Sequence, residues 1–253
     1  MMSMQLNISQ LDKSHYPLLC VAGSFTCFWA LNYCIRLQFP WNDNQRFSWK
    51  WRNTMVSFIH SNLTGIWAPL CFVFNPVLSN DLVGAYDLNV HSIIAVSLGY
   101  FLYDFVDMSL QISANTRSRQ TYQLLLHHFT VIMCFSIAVT TKTFLPYATL
   151  CLFIELNSIF LHARQLLILH SVPRNSSLYV LISYLNVGTF IAFRILLIGW
   201  LTRWLIIHTN NVPYITGTII AFTLATIAWL NVLLFYRILV SDFLHNKKFV
   251  ASS

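Results

Sequence analysis

The sequence predicts an all-α, polytopic membrane helix bundle with about seven transmembrane helices. Apolar side chains make up 57% of its 253 residues and charged side chains only 9%, and the mean hydropathy is +0.61. In soluble proteins roughly a quarter of the residues are charged. Seven segments of this chain approach the roughly 20 apolar residues that a spanning helix needs. These observations exclude a disordered regulator, a disulfide-built secreted domain and a soluble enzyme with a single core.

The seven predicted spans follow one another with loop-sized connections. Each is predicted to be a helix, because the bilayer core leaves open strands without hydrogen-bond partners. Four spans contain no Asp, Glu, Lys or Arg: residues 17–35, 53–74, 121–139 and 212–236. Three others contain such residues: 90–108 with Asp104 and Asp107, 143–161 with Glu155, and 178–201 with Arg194. The first span begins too late and is too long for a signal peptide, so we interpret it as a retained anchor.

The distribution of Lys and Arg predicts the topology. Of 15 such residues, 11 fall on one side of the predicted spans and 3 on the other, and Arg194 lies within a span. Because cytosolic loops carry the excess of positive charge, the N-terminus is expected outside and the C-terminus in the cytosol. Asn7 then begins a glycosylation sequon on the outer side. Lys247 and Lys248 stand too far from the C-terminus for a dilysine retrieval signal, which permits export from the endoplasmic reticulum to the plasma membrane.

Polar side chains inside the predicted spans are the candidate functional residues, because an ionisable group in hydrocarbon costs several kcal/mol. A rise of ~1.5 Å per residue places polar residues from the second to the seventh span in one layer of the cytosolic half. One hypothesis is a polar cavity open to the cytosol; the other is hydrogen bonding between helices. The candidate residues for lining a lipid cavity are His60, Tyr100, Glu155, Ser158, His162, Asn186, Arg194 and Asn231.

The hypothetical catalytic residues are His127, His128, Asp104 and Asp107. A histidine that accepts a proton and a carboxylate that orients it are the groups required for general-base acyl transfer. Successive residues of a helix point about 100° apart, so the two histidines cannot both face one partner. Asp104 and Asp107 lie on one stripe with Tyr100, and it stays open whether that helix simply ends near them in interfacial water.

Arg194 is expected in the outer half of the membrane, where three roles stay open. The three alternatives are an ion pair with Glu155, a contact with a lipid phosphate, and extension of the side chain outward to the interface. A di-iron site needs several histidines three or four residues apart, whereas His127 and His128 are the only close pair, so we expect no metal and no cofactor. A receptor is not favoured either, because no Asp-Arg-Tyr or Asn-Pro-x-x-Tyr sequence occurs. A nucleic-acid partner is not expected.

Six short tracts carry a resemblance to a known family. They are WKWRN at 49–53, SFIHS at 57–61, GIWA at 65–68, GYFLYDFVD at 99–107, HH at 127–128 and ELNSIFL at 155–161. In this order and spacing they resemble the TLC domain, which translocating-chain-associated membrane proteins and ceramide synthases share. The resemblance covers about residues 48–243, preceded by the N-terminal segment and first helix at 1–47 and followed by a cytosolic tail at 244–253.

The resemblance implies a six-helix bundle around a central cavity, with the first helix as an addition. The chain is similar to the small subfamily of TLC domain-containing proteins one and two. That likeness implies a regulator of membrane phospholipids that limits long polyunsaturated acyl chains and makes the membrane more rigid. Ceramide synthases carry a histidine pair like His127 and His128, but their His-Asp-x-x-Asp run is replaced here by ELNS at 155–158. The alternative is therefore an acyltransferase that uses acyl-CoA as substrate for ceramide-like or phospholipid acyl exchange.

Overall fold

The computed structural model describes the backbone of residues 2–38, 45–113 and 119–244, and the side chains of residues 15–38, 45–111 and 119–243. These residues form α-helices with no β-strand among them. The helices are α1 Met2–Gln38, α2 Gln45–Phe74, α3 Leu88–Ser113, α4 Arg119–Thr141, α5 Leu145–Cys151, α6 Ile154–Leu169, α7 Ser177–Phe190, α8 Leu197–Ile207 and α9 Tyr214–Leu239. The side chain of Asn7 and the predicted tail at 245–253 lie outside the described residues.

The prediction of a seven-span all-α membrane protein is confirmed. Seven helical segments are long and apolar enough to cross a bilayer: His15–Gln38, Gln45–Phe74, Leu88–Gln111, Arg119–Thr141, Leu145–Leu169, Ser177–Ile207 and Tyr214–Phe243. Most extend past the predicted ends by a turn or two, because polar and aromatic residues at the interface continue a helix that hydropathy alone truncates. The aspartates on α3 do not mark its end, since the helix continues to Ser113.

Two spans depart from regular α-helix next to a charged residue. The fifth span breaks between α5 and α6, where the N–H of Glu155 donates to the carbonyl of Leu152 at 2.9 Å. The sixth span contains a π-helical turn, Ile191–Leu196, that joins α7 to α8 and carries Arg194. A second π-helical turn, Val240–Leu244, follows α9. Such turns shift a side chain around the helix axis and occur often at functional sites.

The chain divides into two compact units, which are described separately. Unit 1 contains residues 1–46 and 67–150, and in it α3 packs against both α1 and α4. Gly99 allows the close approach of α1, because a Cβ at that position would overlap the backbone oxygen of Val21 and lie 2.7 Å from Cβ of Ser24. The Ser24 hydroxyl donates to the carbonyl of Val96 at 2.6 Å. Small residues of this kind let membrane helices pack closely.

Unit 2 contains residues 47–66 and 151–253, so α2 contributes to both units. In unit 2, α6 packs against α7, and α8 packs against α9. Gly65 of α2 lies directly on the backbone of α6, because a Cβ there would be 3.0 Å from the carbonyl carbon of Glu155. This close contact brings the neighbouring turn of α2, which carries Ser61, against the start of α6.

Large apolar side chains are exposed along most of the helices. A soluble protein rarely exposes apolar surface on this scale, whereas hydrocarbon is an apolar solvent for it. Side chains that are more than half exposed include Leu19, Val73, Tyr184, Leu196, Phe222 and Val232. The exposed surface is therefore suited to contact with lipid.

Candidate functional site: two buried polar clusters

Unit 1 contains a buried histidine–aspartate pair. Nε2 of His128 on α4 lies 3.4 Å from Oδ2 of Asp104 on α3, and the two side chains are only 5% and 3% exposed. The distance is slightly longer than an ordinary N–H···O hydrogen bond. A carboxylate in this position favours a proton on Nε2, which makes Nδ1 the basic nitrogen of the ring.

The ring of Phe101 packs against this histidine. The ring centroid of Phe101 lies 5.5 Å from that of His128, and Phe135 packs edge-on against Phe101 at 5.9 Å. His127 lies beside His128, with ring centroids 5.5 Å apart, but it is only half-buried. His128 contacts one of the two predicted aspartates, Asp104. The arrangement places the imidazole of His128 beside a carboxylate and an apolar ring.

The predicted stripe on α3 is shared between two neighbouring helices. Oδ1 of Asp107 accepts a hydrogen bond from Nδ2 of Asn32 on α1 at 3.2 Å. Tyr100 packs edge-on against Phe28, also on α1, with a centroid distance of 5.0 Å. Asp104 is therefore the carboxylate at the histidine, whereas Asp107 and Tyr100 contact α1. Sequence spacing alone could not separate the two aspartates.

Unit 2 contains a second polar cluster, centred on Arg194. Its guanidinium donates from Nε to Oδ1 of Asn157 at 2.6 Å, from Nη2 to the Ser158 hydroxyl at 2.8 Å and from Nη1 to Oδ1 of Asn231 at 3.1 Å. The side chain is buried and also lies over the ring of Phe190, 5.6 Å from its centroid. Arg194 therefore does not extend outward to the interface, which was one of its three predicted roles.

The asparagines of this cluster link α6 to α7. Nδ2 of Asn157 donates to the carbonyl of Asn186 at 2.9 Å, to its Oδ1 at 3.1 Å and to the Thr189 hydroxyl at 3.0 Å. Asn157 and Asn186 are fully buried. Asn157 was not among the predicted site residues, although its spacing from Ser158 and Glu155 on one helix was visible in the sequence. Hydrogen bonds of this kind hold membrane helices together.

Glu155, His60 and His162 also belong to unit 2. Oε2 of Glu155 accepts a hydrogen bond from the Ser61 hydroxyl at 2.6 Å. Among the described residues, Glu155 makes no direct ion pair with Arg194, although the two interact electrostatically. His60 is buried on α2, and His162 is half-buried on α6 within electrostatic range of it. The predicted candidates thus divide between the two units.

A third cluster in unit 2 was missed by the sequence analysis. Arg164 of α6 forms a bidentate ion pair with Asp242, with Nε 2.6 Å from Oδ2 and Nη2 on Oδ1. Asp242 also accepts hydrogen bonds from the hydroxyls of Tyr179 at 2.9 Å and Ser183 at 3.0 Å. Arg164 and Asp242 are both buried. The ion pair therefore joins α6 and α7 to the π-helical turn that follows α9.

The reason for the miss is that both charges lie just beyond the predicted spans. The sequence placed Arg164 with the cytosolic loop charges and ended the last span at residue 236. Asn157 and Arg164 are seven residues apart and therefore lie on one face of a helix. This spacing is the feature of the sequence that could have identified Arg164 as a buried residue. No group of three or more metal-ligating side chains occurs within the described ranges.

An all-α polytopic membrane protein with polar clusters buried inside its spans is the class that this fold and these sites define. The chain matches the model of the TLC domain family over residues 50–240. It is 38% identical over 228 residues to TLC domain-containing protein 2 of Danio rerio, covering 90% of each chain. The chain therefore belongs to the TLC domain family, which is membrane-associated and linked to lipid metabolism.

Other relatives agree with this assignment. The chain is 32% identical over 230 residues to TLC domain-containing protein 2 of Homo sapiens, covering 91% of this chain and 85% of the relative. It is 35% identical over 195 residues to TLC domain-containing protein 1 of Gallus gallus, with 77% and 75% covered. No solved structure matches the chain. The family resemblance noted in the sequence is confirmed.

Proposed function

We propose that this protein controls the acyl composition of membrane phospholipids by limiting the incorporation of long polyunsaturated chains, which makes the membrane more rigid. The observation that carries this proposal is the likeness to TLC domain-containing proteins 1 and 2 over most of the chain. Phospholipids or their acyl chains are then its partners. We further propose that it acts at the plasma membrane, with the N-terminus outside and the C-terminus in the cytosol.

Lipid analysis of cells that lack the protein tests this function. We expect a rise in polyunsaturated phosphatidylethanolamine and phosphatidylcholine on deletion, reversed by the wild-type chain. A rise that wild-type expression does not reverse would not be due to this protein. If the polyunsaturated fraction of both lipid classes stays unchanged when the protein is removed, the proposed function is wrong.

The His128–Asp104 contact favours a second, more specific function: acyl transfer from acyl-CoA to a lysophospholipid. His128 would take the proton of the acceptor hydroxyl through Nδ1 while Asp104 orients the ring. The acceptor oxygen then bonds to the thioester carbonyl carbon, the carbon–sulfur bond breaks, and the departing CoA thiolate receives the proton from His128. The products are a phospholipid and free CoA, so no oxidant or metal is required.

Purified protein in lipid nanodiscs tests this chemistry. With labelled acyl-CoA and a lysophospholipid, we expect labelled phospholipid from the wild type and about 100-fold less from His128→Gln. His127→Gln is the matched control, because it changes the adjacent, half-buried histidine and leaves the contact of His128 with Asp104 in place, and we expect it to keep most of the activity. Equal activity of the wild type and His128→Gln would exclude His128 as the base. A sphingoid base in place of the lysophospholipid tests ceramide-like transfer.

A further inference from the structure

The Arg194 cluster has more hydrogen-bond donors than acceptors. Within the described residues each terminal nitrogen of Arg194 makes one hydrogen bond, so each retains a second N–H. Nδ2 of Asn186 is fully buried and has no hydrogen-bond partner among the same residues. Leaving a buried donor without a partner costs about 1–3 kcal/mol. An acceptor that carries negative charge would satisfy the surplus donors and balance the positive charge of Arg194.

The position of Arg194 restricts what that acceptor can be. It lies about 25 Å along the helix axis from Ser177 and about 20 Å from Ile207, the ends of its span, at ~1.5 Å per residue. Ile191, Ile195 and Leu196, on the same π-helical turn, expose 42%, 44% and 65% of their surface. An apolar, lipid-accessible surface therefore flanks the buried guanidinium deep in the bilayer. A ligand with a hydrocarbon chain and an anionic end matches both features.

We propose that the Arg194 cluster binds the carboxylate of a long-chain fatty acid from within the bilayer. A carboxylate brings one charge and two oxygens, which match the single charge of Arg194 and its two remaining terminal N–H groups in a planar, bidentate arrangement. A phosphate monoester brings more charge and more oxygens than these donors can satisfy. This binding site is formed by residues of unit 2, whereas the proposed acyl transfer uses residues of unit 1, and the binding does not depend on that chemistry.

Glu155 is the competing anion within the chain. It interacts electrostatically with Arg194 but makes no direct ion pair with it in the described part of the chain, and its Oε2 accepts from Ser61 instead. A fatty-acid carboxylate would approach the same guanidinium and experience repulsion from Glu155. Removing the charge of Glu155 should therefore strengthen fatty-acid binding, whereas removing the guanidinium should weaken it.

Direct binding of oleate to the purified full-length protein in phosphatidylcholine nanodiscs tests this site. We expect saturable binding of oleate by the wild type and about tenfold or more weaker binding of oleyl alcohol, which has the same chain without the charge. Arg194→Gln should weaken oleate binding by a similar factor. Arg203→Gln is the matched control, because it removes the same charge from an exposed position of the same span, and it should bind as the wild type does.

Three results would overturn the proposal. The first is equal binding of oleate and oleyl alcohol by the wild type, a comparison that needs no variant to fold. The second is binding of oleate only by Glu155→Gln, which would identify Glu155 as the counter-ion of Arg194. The third is preference for lysophosphatidic acid over oleate, which would identify a phosphate site instead. Stronger oleate binding by Glu155→Gln, on top of clear binding by the wild type, would support it.

Discussion

Asp104 of α3 contacts the buried His128 of α4 with 3.4 Å between Oδ2 and Nε2. Asp107, one turn further along α3, accepts a hydrogen bond from Asn32 of α1 instead. The two aspartates are chemically identical and lie on one stripe of the helix, yet they contact different neighbours. The contact with His128 assigns the orienting role in the proposed acyl transfer to Asp104.

The first prediction compares these two aspartates. Asp104→Asn keeps the size of the side chain but removes the charge that stabilises a proton on His128, so acyl transfer should fall by about 100-fold. Asp107→Asn should lower it far less, because Asp107 contacts α1. The measurement is labelled phospholipid formed in nanodiscs at matched amounts of folded protein. Equal losses in the two variants would contradict the assignment of Asp104.

The second prediction concerns the ion pair of Arg164 and Asp242. Asp242→Asn leaves a buried guanidinium without its counter-charge, which should lower the free energy of unfolding by about 3–5 kcal/mol. Arg174→Gln is the control, because Arg174 is exposed and donates to the carbonyl of Ser241 rather than to a buried carboxylate. Arg174→Gln should lower the free energy of unfolding by about 1 kcal/mol or less. Denaturant unfolding in detergent measures both, and similar costs would contradict a structural role for the buried pair.

The third prediction concerns the packing of α1 on α3. Gly99→Ala adds a methyl group that would overlap the backbone oxygen of Val21, so it should lower the free energy of unfolding by about 1–3 kcal/mol. Gly188→Ala is the matched control, because no atom lies within 4 Å of the added group, and it should be neutral or slightly stabilising. The midpoint of thermal unfolding in the same detergent compares them. An unchanged midpoint for Gly99→Ala would contradict the close packing.

The fourth prediction concerns topology. A second glycosylation sequon, Asn175-Ser176-Ser177, lies on the predicted cytosolic side. If the N-terminus lies outside, Asn7 is available for glycosylation and Asn175 is not. Asn7→Gln should then abolish a mass shift that a glycosidase removes, whereas Asn175→Gln should leave the shift unchanged. Gel migration of protein expressed in mammalian cells measures this. A glycan lost with Asn175→Gln but retained with Asn7→Gln would show the opposite orientation.

The fold could be predicted from the sequence because hydrocarbon imposes a simple rule on chain length and polarity. Runs of about 20 apolar residues were enough to find seven helices. The π-helical turns at Ile191–Leu196 and Val240–Leu244 could not be found in this way, because they depend on how Arg194 and Asp242 reach partners on other helices. Hydropathy also ended the last span before Asp242 and thus hid its ion pair.

The candidate site could be predicted only as a set of residues. Helix spacing placed Tyr100, Asp104 and Asp107 on one stripe, but the stripe borders both α1 and α4 in unit 1. Which aspartate meets a histidine depends on the rotation of α3 against these helices, and α1 lies close to α3 at Gly99. Sequence spacing along one helix does not contain this information.

The most direct test of the central claim is lipid analysis of cells that lack the protein and are rescued with single-histidine variants. The central proposal joins the two proposed functions: the protein limits polyunsaturated phospholipids through acyl transfer at His128, which Asp104 orients. At equal expression and equal location in the membrane, His127→Gln should restore the wild-type lipid composition and His128→Gln should not. Full rescue by His128→Gln, or by His127→Ala combined with His128→Ala, would contradict the claim.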